Sequence, residues 1–176
     1  MHRIVRRTTV ILAAALVLLA GTTTTTPAAA AAAPAFISNG DGSCLGVRDK
    51  AEGRIAFTAE CGALFAFQQW DYVFMGTDQW RNSWYQLKNR GSGLCLVVQT
   101  GQDKPAFQYR CLPQYVDQHW TMPFTTLSAD GPTSFVNRNG SKCLEKFGAH
   151  SQGYVHQWTC EFDHDGPVPA QRWLRF

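Results

Sequence analysis

From about residue 35 onward the chain alternates between apolar and polar positions. Leu94, Leu96 and Val98 fall at every second position, as do Tyr154, His156 and Trp158. That is the period of a strand with one face buried. Gly, Asn, Asp and Ser interrupt these stretches at residues 39–42, 90–93 and 139–140, the residue types that tight turns require. No sustained helical period follows residue 35. The pattern therefore predicts an all-β domain of short strands, either a sandwich or a barrel.

A repeat narrows the choice. Cys-Leu pairs stand at Cys44-Leu45, Cys95-Leu96 and Cys143-Leu144, at intervals of 51 and 48 positions. A Gln-x-Trp triplet recurs as Gln68-Gln69-Trp70, Gln118-His119-Trp120 and Gln171-Arg172-Trp173, at intervals of 50 and 53. The units run approximately over residues 35–83, 84–133 and 134–176 of a domain at 34–176. Each is too short to bury a core by itself, so the three must close on one another.

Residues 1–33 read as an export signal: Arg3, Arg6 and Arg7, then an apolar run at 10–20, then a small-residue tract. Such a run, about 11 residues against the roughly 20 needed to span a bilayer, is no membrane anchor. The expected mature protein is secreted. It carries 13 basic and 13 acidic residues, and this neutrality removes the motive for a nucleic-acid partner or for membrane insertion.

An oxidising destination gives the six cysteines a role. Their gaps alternate as 17, 34, 16, 32 and 17 positions, which suggests three local disulfides, Cys44–Cys61, Cys95–Cys111 and Cys143–Cys160. Neither C-x-x-C pairs nor clustered histidines point to a metal. No nucleophile elbow, zinc-protease helix or phosphate loop is present, so neither an enzyme nor a cofactor is expected. Glu161, Asp163, His164 and Asp165 form one dense titratable cluster, which reads as an exposed loop.

Cys-Leu, a strand ending in a second cysteine, then Gln-x-Trp, three times over, resembles the ricin B-type lectin family. The resemblance implies a twelve-stranded β-trefoil with up to three sugar sites. It also places Gln68, Trp70, Gln118, Trp120 and Trp173 in the shared core. A site of this family combines an Asp after Cys-Leu with an aromatic two positions before the second cysteine. A polar residue stands two positions before that aromatic, and an Asn precedes the Gln of Gln-x-Trp. The chemistry suits a hexose, whose CH face covers an aromatic ring while its hydroxyls donate to a carboxylate.

Unit one lacks these features, having Gly46, Ala59 and Phe67 at the Asp, aromatic and Asn positions. Unit two keeps Tyr109 and Asp117 but has Val97 and Phe107 elsewhere. Unit three is the most complete, with Glu145, His156, Trp158 and Gln171, and Ala170 in place of Asn. The expected function is a secreted carbohydrate-binding module, for sugars of which galactosides are one candidate class, with at most one or two weakened sites and binding centred on Trp158. The alternative is a trefoil with decayed sugar sites that recognises a protein, as an inhibitor, toxin component or envelope protein.

Overall fold

The computed structural model describes residues 35–123, 131–148 and 153–176, which lie within one compact unit, Ala31–Phe176. Residues 1–33, read from the sequence as an export signal, lie outside the described residues. Unit one supplies strands Ala35–Asn39 (β1), Ser43–Gly46 (β2), Phe57–Glu60 (β3) and Gln69–Thr77 (β4). Unit two supplies Ser83–Asn89 (β5), Cys95–Val98 (β6), Lys104–Tyr109 (β7) and Trp120–Thr121 (β8). Unit three supplies Val136–Asn137 (β9), Cys143–Lys146 (β10) and Val155–Trp158 (β11). A small separate hairpin follows, Phe162–Asp163 (β12) with Gly166–Pro167 (β13), before the last strand, Trp173–Arg175 (β14).

Six strands form a barrel. β1 pairs with β4, β4 with β5, β5 with β8, β8 with β9, and β14 with β1. The bridge between Thr133 and Trp173 closes the remaining seam. Three hairpins, β2–β3, β6–β7 and β10–β11, cap one end. They join one another through β7–β11 and through the bridges Ile55 to Phe107 and Phe57 to Tyr154. Threefold closure of four-strand units makes this a β-trefoil.

The core explains why the motif recurs. Trp70, Trp120 and Trp173 are fully buried, together with Leu45, Leu96 and Leu144. Each indole Nε1 donates to the carbonyl of its own unit's leucine, at 3.0, 3.1 and 2.9 Å. A buried indole N–H must find such a partner, and here the bond ties a barrel strand to its hairpin.

The glutamines are buried as well, and each clamps the chain on both sides of the second cysteine. Gln68 accepts from Gly62 N and donates to Glu60 O, Gln118 accepts from Leu112 N and donates to Arg110 O, and Gln171 accepts from Glu161 N and donates to Thr159 O. Asn39, Asn89 and Asn137 complete the pattern. Each side-chain amide donates to the residue preceding a Gln: Ala170, Phe67 and Asp117 respectively.

Disulfides Cys44–Cys61, Cys95–Cys111 and Cys143–Cys160 fasten each hairpin. Each closes a short loop, worth about 3 kcal/mol if it acts by limiting the unfolded chain. One ion pair joins units one and three: Lys146, whose side chain is 3% exposed, donates from Nζ to Asp41. Burial alone would raise the Asp41 carboxyl, but hydrogen bonds from Lys146 and Ser43 hold it down at about 2.

Replacing any one of the three core tryptophans with Ala should cost about 3–5 kcal/mol in denaturant unfolding. Trp120→Phe keeps most of the ring but leaves the Leu96 carbonyl unpaired, and should cost about 1–3 kcal/mol. A carboxyl depressed in the folded state adds stability above its unfolded value of 3.8 and loses it as pH falls toward about 2. The wild type should therefore lose stability across that window, and Asp41→Asn should flatten this limb in thermal unfolding.

Candidate functional site

Unit three brings its chemistry together through the β10–β11 register, which sets Glu145 directly opposite His156 and Cys143 opposite Trp158. Period two then puts His156 and Trp158 on one strand face, with ring centroids 5.8 Å apart. Glu145 is held from both sides. Its Oε1 lies 3.1 Å from His156 Nε2, and its Oε2 accepts from Gln171 Nε2 at 2.6 Å.

The other nitrogen of His156, Nδ1, lies 2.6 Å from Asp103 Oδ1. Asp103 belongs to unit two and sits in the turn before β7 with φ of 56°. Trp158 donates from Nε1 to Glu161 at 3.2 Å, which fixes the tilt of its indole.

Exposure sorts these residues by role. His156 is 1% exposed and Gln171 is 0% exposed. Both are expected from the sequence to contact sugar; in the structure their polar atoms bond to Glu145, Asp103 and the backbone. Trp158 is half-buried rather than mostly solvent-facing. Phe147 and Tyr154 stack on each other at 4.7 Å and meet His156 edge-on, extending the aromatic surface beyond Trp158. Sequence reasoning missed Asp103, because it reaches the site from the neighbouring unit.

Unit two does not assemble in the same way. The Tyr109 ring lies beneath the Arg110 guanidinium, at 5.2 Å, and Arg110 is in turn held by Glu52. Asp117 instead lines a depression of about 290 Å³ with Gln114, Tyr115, Val116 and Asn139, and Tyr109 is not among its walls. Burial pushes the Asp117 carboxyl up, and its buried Oδ1 has no hydrogen-bond partner.

Unit one is closed by packing. A Cβ on Gly46 would stand 2.9 Å from Gln68 Cγ and 3.2 Å from the Phe67 carbonyl oxygen. A Cβ on Gly91 would stand 2.6 Å from the Phe67 ring. Phe67 therefore occupies the space where a site would open, and two glycines make room for it. The acidic loop of unit three is a solvent-facing turn. Asp163, His164 and Asp165 are all exposed, and Asp163 accepts from Asp165 N and Arg172.

The family described as "Ricin-type beta-trefoil lectin domain-like" matches residues 66–158. No curated protein sequence matches the chain. Among solved structures, the designed threefold-symmetric protein ThreeFoil superposes with a TM-score of 0.67 at 21% identity, over 81% of this chain and 96% of its own. The cytolethal distending toxin of Haemophilus ducreyi gives 0.62 at 13% identity, over 80% and 81%. The hemolytic lectin CEL-III gives 0.59 at 26% identity, over 79% of this chain but 29% of its own.

Gly46→Asp should destabilise the protein by about 1–3 kcal/mol through overpacking against Gln68 and Phe67. It should create no sugar site, and paired unfolding and glycan titrations of this variant check both outcomes.

Proposed function

Because the chain belongs to the ricin-type β-trefoil lectin domain-like family, we propose that it is a secreted, non-catalytic carbohydrate-binding protein whose working site is in unit three. One observation carries the reading: the Asp103–His156–Glu145–Gln171 chain of hydrogen bonds, set beside the half-buried ring of Trp158. A carboxylate fixed at both oxygens is already oriented when a sugar arrives. Its remaining lone pairs can accept a hydroxyl, and Glu145 keeps 17% of its side chain open for this. Trp158 then covers the CH face of the ring, and the family likeness favours a galactoside-type sugar. His156, Gln171 and Asp103 act as positioning residues, since each acts through Glu145 or through another of the three. The hemolytic lectin among the structural relatives agrees with this class of ligand.

A second reading, protein recognition by a trefoil without working sugar sites, draws on the exposed aromatics Phe74 and Trp80, 59% and 74% exposed, and on the toxin relative. It expects no glycan binding at all.

Trp158→Ala should abolish binding of simple galactosides, and because the ring is half-buried the unfolding midpoint should fall modestly while the protein stays folded. Glu145→Gln should weaken binding by around 1–2 kcal/mol, the worth of one charge-assisted hydrogen bond. Calorimetric titration of galactose and other neutral sugars checks both. Unchanged affinity in Trp158→Ala would overturn the site, and no binding by the wild type across a glycan panel would favour the second reading.

A further inference from the structure

The β4–β5 hairpin breaks the threefold pattern. Its strands span Gln69–Thr77 and Ser83–Asn89, whereas the strands at the corresponding position in the other units, β8 and β14, have two and three residues. Asp78 builds the tip: its carboxylate accepts from Trp80 N, Asn82 N, Asn82 Nδ2 and Trp84 Nε1. These bonds shape the turn that carries Trp80, 74% exposed, and fix the indole of the buried Trp84. Between the tip and unit three lies a depression of about 430 Å³ lined by Trp80, Trp84, Asp78, Asn82, Arg138 and Ser141, among others.

Arg138 is the unusual member. Its guanidinium lies over the Trp84 ring at 5.3 Å, and Nη1 is 3.3 Å from His119 Nδ1. His119 is buried with its Nε2 3.0 Å from the Pro113 carbonyl, so Nε2 carries the proton and Nδ1 accepts. Burial pushes this histidine's pKa down and the nearby Arg138 charge adds to the effect, in keeping with a neutral ring. The guanidinium is thus anchored by neutral groups, and among the described residues no carboxylate pairs with it. The Asp78 carboxylate faces the same depression, but its four N–H donors already spread its charge. An adjoining depression of about 400 Å³ shares Asn82, Thr121 and Pro123 and adds Arg81 and Arg175 to its walls.

We infer that this cleft is a second carbohydrate site, separate from unit three, and that it takes a carboxylate-bearing pyranose. The exposed indole of Trp80 covers the sugar's CH face, and Arg138 receives the carboxylate as a planar fork. Asn82 and Ser141 offer hydrogen bonds to hydroxyls. The inference rests on the lectin reading for its class of ligand, while its position and its preference for acid come from the hairpin and Arg138.

The test is calorimetric titration of the full chain with glucuronate, N-acetylneuraminate, glucose and inorganic phosphate. Either acidic sugar should bind about tenfold more tightly than glucose, and raised salt should erode that margin, as for any solvent-facing charge pair. The tighter of the two acids identifies whether a hexuronate or a sialate is the natural source. Arg138→Gln should erase the margin, and because Arg138 is an exposed residue the unfolding midpoint should not move. Trp80→Ala should lower affinity for both acid and neutral sugar at this cleft. Trp158→Ala should leave acid binding intact, so failure at unit three and failure here are read separately. Glucuronate and N-acetylneuraminate both binding no better than glucose, a margin that survives Arg138→Gln, or phosphate binding as tightly as the sugar acids would each overturn the inference.

Discussion

Everything in this fold hangs on a bond made three times, from a buried indole N–H to the carbonyl of a leucine that follows a cysteine. Strands of two to five residues make up most of the barrel and caps, and pairing over so few residues does not hold by itself. The tryptophans supply both the apolar volume and the link. Each fills the centre with its ring and fixes a barrel strand to a hairpin with its nitrogen. Because the acceptor is backbone, the bond constrains spacing tightly but leaves free the residue after the leucine. That next position is where the three units part: Gly46, Val97 and Glu145 follow identical Cys-Leu pairs. Fold and site are thus built from adjacent residues under independent constraints, which lets the sites diverge without loosening the core.

What repeats in space was legible in the chain. Trp70, Trp120 and Trp173, with Gln68, Gln118 and Gln171, perform the same contact in each unit, so their spacing announces their role. The cysteine gaps work in the same way, since each bridge closes a hairpin of nearly constant length. The separate pair β12–β13 belongs to unit three alone, and the long β4–β5 hairpin to the junction of units one and two. A search for common features passes over such insertions. The signal for the longer one was nonetheless present: Tyr72 and Phe74 continue an alternating strand toward the turn residues Gly76, Asp78 and Asn82.

The candidate site was half legible for a different reason. Motif spacing found Glu145 and Trp158, because both are fixed by their own unit's register. It could not find Asp103, 53 positions before His156 and delivered by the preceding unit. Nor could it foresee that His156 turns inward, because its burial depends on Phe147 and Tyr154 closing over one side. Unit one makes the same point in reverse. Gly46 looked like a missing acid, whereas the structure gives it a positive reason to be glycine in the approach of Gln68 and Phe67.

The formal neutrality of residues 34–176 hides an uneven arrangement of charge. Asp103 and Glu145 converge around one histidine next to Trp158, while Arg138, with no acidic partner among the described residues, lines the same depression as Trp80. Both places join an aromatic face to a fixed charge, and the sign of the charge separates their chemistry. A carboxylate accepts from hydroxyls and suits a neutral sugar, whereas a guanidinium favours an acid. The barrel explains why the second arrangement could arise where it did. Beyond Tyr72 and Leu87, which pair at the level of the buried core, β4 and β5 run on to a tip near which Phe74 and Trp80 are exposed. Residues there are free of the packing duty that holds the rest of the repeat constant. An exposed tryptophan kept in place by an Asp78 turn of four hydrogen bonds is a feature the fold itself does not require.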